Sequence, residues 1–169
     1  MYDYVVLLTF NEEANAKIIF FKNILKSNNI KSSEKLPPHV TIDLYENIDS
    51  DTIIKIIDQF IEQIKSFSFQ FIRINTFDNK VLFFQPNNVE QFEAIKSIFD
   101  IYLSKFQIKE NANRGLYKPH ATIVTDNNVT HAEEILNEHF TPFEGSVSGL
   151  CIYSKDKQLI KKYKLNNHD

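Results

Sequence analysis

The pattern of apolar residues along this chain of 169 residues passes twice through one order. Tyr2 to Phe10 alternates like a strand. Glu12 to Ser27 carries Ile18, Phe21 and Leu25 on one helical face, behind Asn11 as an N-cap. His39 to Tyr45 is short and β-branched, hence a strand. Ser50 to Lys65 puts Ile53, Ile57, Phe60, Ile61 and Ile64 on one stripe of a helix. Phe67, Phe69 and Phe71 then alternate with Ser68 and Gln70 as a half-buried strand.

The order starts again at Lys80 to Gln85, a strand that Pro86 ends. Asn88 to Phe106 is a helix with Phe92, Ile95, Phe99, Tyr102 and Phe106 inward, and His120 to Thr125 is a short strand. Thr130 and Glu133 form a capping box before a helix to Phe140. Phe143 to Ser154 is a strand, and Lys155-Asp156-Lys157 turns into a last strand, Gln158 to Leu165. Two repeats that cannot bury their faces alone must share a core. The chain is therefore expected to be one α+β domain over 1–169, with halves of about 1–78 and 79–169. Two antiparallel sheets should face a central groove, with the helices packed outside.

Each repeat contains the same Pro-His-x-Thr-Ile pattern, Pro38-His39-Val40-Thr41-Ile42 and Pro119-His120-Ala121-Thr122-Ile123, with the histidines 81 positions apart. One His-x-Thr triplet in a chain with five His would be a weak motif. Two, each framed by Pro and Ile at matching places in a repeat, are not accidental. Residues two apart on a strand share a face, so each motif presents an imidazole beside a hydroxyl. Val40, Ala121 and the two isoleucines point the other way, toward helices. If the repeats meet about a pseudo-twofold axis, the two pairs converge across the groove. Such a set suits phosphodiester chemistry: one His takes a proton while the other gives one to the leaving oxygen. The Thr hydroxyls can hold the non-bridging oxygens. The ordinary histidine pKa of about 6.5 fits both roles. The scheme needs no metal and no cofactor.

These doubled strands resemble the 2H phosphoesterase superfamily, and within it the bacterial 2'-5' RNA ligase-like branch, over nearly the whole chain. The resemblance implies a bilobal fold and metal-independent chemistry on 2',3'-cyclic phosphates, with other branches cleaving 2'-5' linkages or joining RNA ends. It makes His39 and His120 the acid/base pair, and Thr41 and Thr122 the phosphate-holding residues. By the same analogy His39 activates water and His120 protonates the 3'-oxygen. Many relatives place an arginine shortly after the second motif, whereas Ile123-Val124-Thr125-Asp126 follows here. A cationic phosphate contact must come from elsewhere or be absent. The expected partner is a nucleotide or short RNA carrying a cyclic phosphate or a 2'-5' linkage.

Composition narrows the alternatives. The net charge of -3 argues against coating long nucleic acid, which favours basic proteins. No apolar run is long enough for a membrane span, and Met1-Tyr2-Asp3-Tyr4 does not open a secretory signal. The single Cys151 excludes an intramolecular disulfide, fits a reducing cytoplasm, and reads as a buried small residue. No obligate protein partner is evident, and one shared core is compatible with a monomer. Two His without Cys, Asp or Glu at matching offsets make a poor metal shell. His131 and His139 on one helix do not form His-Glu-x-x-His and read as a solvated face; His168 lies in a polar tail. Arg114 in the loop before the second motif is a candidate phosphate contact, with Lys118 nearby. Tyr117, Tyr153 and Phe10 are candidates for stacking on a base or for core or rim packing. Lys161, Lys162 and Lys164 read as lysines that protect an edge strand. A module that binds a nucleotide without turnover, and an end-joining enzyme, remain as rival readings.

Overall fold

The computed structural model describes residues 1–112, 115–125 and 128–166. Its strands are β1 (Tyr4–Phe10), β2 (His39–Tyr45), β3 (Phe67–Phe77), β4 (Val81–Pro86), β5 (Ala121–Thr125), β6 (Phe143–Ser154) and β7 (Leu159–Lys164). Its helices are α1 (Glu12–Ser27), α2 (Ser50–Phe60), α3 (Val89–Leu103), α4 (Lys109–Ala112) and α5 (Val129–Asn137). All ladders between these strands are antiparallel, in the order β2-β1-β6-β3-β4-β5, with β7 also on β6. The two expected sheets thus share a strand. Phe143–Val147 of β6 pairs with β3, and Val147–Ser154 pairs with β1. A strand of 12 residues is long enough to serve both. The register shift between Thr9 and Phe10, opposite Ser148, falls where β6 passes from one sheet to the other.

One face of each sheet packs on the helices. Val6, Leu8 and Phe10 of β1, Phe67, Phe69 and Phe71 of β3, and Leu82 and Phe84 of β4 belong to one core with all the long helices. The helices cross between the lobes. Helix α1, which follows β1, packs Phe21 against Phe84 and Phe143 of the second sheet, 5.3 and 5.9 Å between ring centres. Helix α3, which follows β4, meets β2 and packs Phe99 against Phe60 of α2. Neither half can keep its core without the other's helix, which is the packing reason that the repeat is one body.

The other face of each sheet holds Val5, Leu7 and Thr9 of β1, Gly149 and Cys151 of β6, and Phe83 of β4, since partners across a ladder share a face. These buried residues lie outside the main core cluster. Both histidine strands also carry a bulge at one place. The register shifts at Ile42 between Val6/Asp43 and Leu7/Thr41, and at Ile123 between Leu82/Val124 and Phe83/Thr122. His-x-Thr therefore faces the groove, whereas the residue after Ile is turned back inward. That residue is Asp43 in the first copy and Val124 in the second, 3% and 1% exposed.

Local capping differs from expectation at two helices. Asn11 sits at the N-cap of α1 without capping it; its Oδ1 accepts from the Ser146 N–H at 3.0 Å and its own N–H donates to the Ser146 carbonyl at 3.1 Å. The amide is used to anchor β6 instead. Helix α5 begins at Val129, one residue before Thr130, and ends at Asn137; it has no side-chain cap, so the Thr130–Glu133 box is not formed. Burial of Val129 against the core sets that start. Asp49 does cap α2, accepting from the Thr52 N–H at 2.7 Å.

Candidate active site

The end strands of the path, β2 and β5, approach each other but form no ladder among the described residues. The approach is fixed by two bonds. The Ser33 N–H donates to the Ile123 carbonyl at 2.9 Å, and the Tyr117 hydroxyl donates to the Thr41 carbonyl at 2.7 Å. His39 and His120 stand at the start of these strands, both half-buried.

The two imidazoles are oriented in the same way. Nδ1 of His39 lies 2.7 Å from the Pro37 carbonyl, and Nδ1 of His120 lies 2.8 Å from the Lys118 carbonyl. A residue before proline is held extended, which brings its carbonyl beside the ring of the residue after the proline. A carbonyl only accepts, so each Nδ1 carries a hydrogen, and Nε2 is the nitrogen without one in the neutral ring. The ring of His120 also packs edge-on against Phe77 and Phe83, at 4.9 and 5.2 Å. Thr41 pairs with Leu7 and Thr122 with Phe83, so both hydroxyl residues are on the groove face.

Burial pushes the pKa of His39 down to about 4. The Pro37 carbonyl opposes this, while Lys22, His120 and Lys157 act on His39 electrostatically and push it further down. His39 is thus neutral at pH 7, with Nε2 unprotonated. The depressed pKa is also linked to stability. Between about pH 6.5 and 4 the unfolded chain binds a proton that the folded chain refuses, so stability falls as pH falls through that window. The shift corresponds to about 3 kcal/mol. Urea unfolding at pH 7 and pH 4.5 should show wild type losing at least about 2 kcal/mol more than His39→Asn; equal losses would place the strain elsewhere.

The other expected site residues are distributed unevenly. Tyr117 uses its hydroxyl to tie the second lobe to Thr41, and burial followed by the Asp43 charge raises its pKa. Tyr153 pairs with Val5 on the groove face of β6, beyond Cys151. Phe10 is a core residue, 4% exposed, with Phe69 and Phe71 each 5.5 Å away. Its alternation with Thr9 sends it to the helix side. Arg114 and His168 lie outside the described residues. Cys151 is buried, and its thiol pKa is raised by that burial.

Residues not singled out in the sequence join the groove. Thr9 pairs with His39, and Arg73, Asn75 and Phe77 of β3 lie on the same face as Phe83. The lysines that act on His39 come from distant elements. Lys22 of α1 donates to the Ser33 carbonyl at 2.6 Å. Lys157, in the turn before β7, bonds the Tyr2 hydroxyl with its ammonium 5.1 Å over the Tyr2 ring. Lys157 has φ +65, a left-handed conformation that suits glycine or asparagine better. Only its sequence distance from the motifs hides it, since a turn lysine carries no signal of its own. Among the described residues no three His, Cys, Asp or Glu gather as a metal site, and no helix is long and apolar enough to cross a membrane.

Comparison with solved structures places the fold. The apo crystal structure of E. coli LigT is similar with a TM-score of 0.66 at 11% identity, covering 98% of each chain. TT0787 of Thermus thermophilus is similar with a TM-score of 0.63 at 12% identity, covering 99% of this chain and 100% of that one. E. coli LigT complexed with 3'-AMP gives 0.60 at 11% identity, covering 98% and 99%. At such identities these likenesses concern the fold alone. A search of curated proteins returns no significant match. The α+β architecture expected from the repeat is the one these structures share. The profile of the 2'-5' RNA ligase superfamily matches residues 14–159, which take in both Pro-His-x-Thr-Ile strands and both lobes, and the chain belongs to that superfamily.

Proposed function

We propose that this protein is a metal-independent phosphoesterase that opens a 2',3'-cyclic phosphate, or cleaves a 2'-5' linkage, at a nucleotide or RNA end. The observation that carries the reading is the matched pair of imidazoles, each with Nδ1 on the carbonyl two residues back, at the start of two strands that approach each other. Nucleotides as the ligand class draw support from E. coli LigT, which has been crystallised with 3'-AMP, ATP and NADP+.

In the opening of a cyclic phosphate, His39 Nε2 takes a proton from water as the water oxygen attacks phosphorus. The bond from phosphorus to the 3'-oxygen breaks, and protonated His120 gives its Nε2 proton to that oxygen. The products are a 2'-phosphate and a 3'-hydroxyl, with one proton moved from His39 to solvent and one returned to His120. The neutral state of His39 suits the base. Thr41 and Thr122 donate hydroxyls to the non-bridging oxygens as charge builds. Lys22 and Lys157 supply positive potential beside His39, the role an arginine after the second motif would otherwise fill.

The test is incubation of the pure protein in EDTA with RNA bearing a 2',3'-cyclic end, ADP-ribose cyclic phosphate, 2'-5' oligoadenylate and a cyclic oligonucleotide, with products resolved by chromatography. Turnover of one substrate in EDTA, with an acid limb of kcat/KM below that of an ordinary histidine, is the expected result. Inactivity in EDTA restored by zinc would overturn the reading, and tight binding of a member without turnover would replace it with a binding module.

A further inference from the structure

The floor of the groove continues beyond the histidines. The pairings of His39 with Thr9, Thr9 with Gly149 and Gly149 with Lys164 form one row across four strands. A parallel row runs Thr41, Leu7, Cys151, Lys162. Cross-strand partners share a face, so Lys162 and Lys164 are on the groove side. Lys161 is on the outer side, its ammonium 5.3 Å over the ring of Tyr163, which in turn reaches Asp58 of α2. The basic run of the last strand is therefore split between two faces. Three strand spacings put Lys164 roughly 14 Å from His39. Between them Gly149 keeps the floor low; a Cβ there would stand 2.5 Å from the Thr9 hydroxyl oxygen.

At the Lys164 end, where the two sheets share β6, a cavity of about 510 Å³ opens. Its polar lining is Ser66, Ser68, Ser146, Ser148, Asn88 and Lys164, with no carboxylate among the described residues. The Asn88 amide is held by the Ser68 carbonyl at 3.0 Å. Lys164 pairs with no carboxylate among the described residues. We propose that this cavity is a second phosphate subsite, taking an internal phosphodiester of an oligonucleotide whose 3'-end reacts at His39 and His120. The proposal rests on the phosphoesterase reading above and specifies its substrate class.

The chemistry of the lining selects the ligand. Serine hydroxyls and an ammonium donate to non-bridging oxygens, whereas a carboxylate would repel them. Glu144 lines the adjoining hollow with Ser68 and Gln70, so the favourable track stops there. A stacked strand advances at least about 3.4 Å per phosphate, so roughly 14 Å accommodates about two to four nucleotides. The substrate is then a short single strand with its 5' portion at Lys164, and a net charge of -3 does not oppose it because Lys162 and Lys164 are on the groove face.

The test compares adenosine 2',3'-cyclic phosphate with tetra-adenylate ending in the same cyclic phosphate. Wild type should show kcat/KM at least tenfold higher on the tetranucleotide, through KM. Lys164→Ala should lower the ratio of the two values at least fivefold, and a wild-type ratio near one, or a ratio unaltered in the variant, overturns the subsite. If neither compound is turned over, the cyclic-phosphate form of the catalytic reading fails, and the subsite is judged by fluorescence anisotropy of labelled tetra-adenylate with a 3'-phosphate. Lys164→Ala should then raise Kd at least fivefold and reduce the slope of log Kd against log salt by about 0.7. Equal Kd and equal slope would sink the subsite independently of catalysis.

Discussion

Alanine at His39 or at His120 should lower kcat on a 2',3'-cyclic substrate by about 10³-fold or more while the chain stays folded, since a positioned acid or base contributes about 10²–10⁴. Neither ring is a core element; both are half-buried, each with Nδ1 on one backbone carbonyl. Far-UV circular dichroism and the thermal midpoint should therefore remain close to wild type. The double variant should be little worse than either single one, because acid and base act in one step and their losses do not add. Valine at Thr41 or Thr122 should cost less, about 10²-fold, as the loss of one donor to the developing charge. Retained turnover in either histidine variant would remove the two-histidine mechanism. Loss of turnover together with loss of fold would make His39 a structural residue.

The largest effect on stability is expected at Lys96. Asp43 is 3% exposed on the inward face of β2, where the bulge at Ile42 turns it toward α3. Its carboxylate meets the Lys96 ammonium at 2.9 Å, accepts from the Leu44 N–H at 2.8 Å, and bonds the Gln107 amide. Lys96 is raised in pKa although its burial works against its charge, because Asp100 and Asp43 both bond it. Lys96→Met would leave a buried carboxylate without its counter-charge. Breaking a buried pair from one side costs about 3–5 kcal/mol, a large part of the total for a domain of this size. Urea unfolding should report that loss with an unchanged m-value. Asp43→Leu in the same chain should recover at least half of it, because two apolar residues no longer strand a charge. Failure of the second substitution to recover stability would show that Gln107 and Leu44, not Lys96, hold the carboxylate.

Much of the fold was legible because it rests on short-range pattern. Phe67, Phe69 and Phe71 alternate with polar neighbours, and Ile53, Ile57 and Phe60 fall on one helical stripe, so element type followed from period alone. The two His-x-Thr strands were legible for the same reason, being local and repeated. The caps were not. Asn11 bonds Ser146, 135 positions away, and no local rule anticipates that partner. Phe10 and Thr9 show the limit in the site: alternation separates them onto opposite faces, but only the core decides which face is inward.

The bulges mark where sequence reasoning stops. Strict alternation along His39, Thr41 and Asp43 would put an acid beside the groove hydroxyls, in the place a phosphate must occupy. One extra residue at Ile42, fixed by pairing with β1, turns Asp43 inward to Lys96 instead. The same bulge at Ile123 turns Val124 inward in the second copy. The elements, their duplicated order and the His-x-Thr pairs were written locally, because they depend on spacings of two to four residues. Tertiary structure alone decided that β6 joins both sheets, that α1 and α3 cross between lobes, and that Lys22, Lys157 and Lys164 reach the groove face or act on His39. Those outcomes depend on cross-strand register and on packing between segments far apart in the chain, and no local period records either.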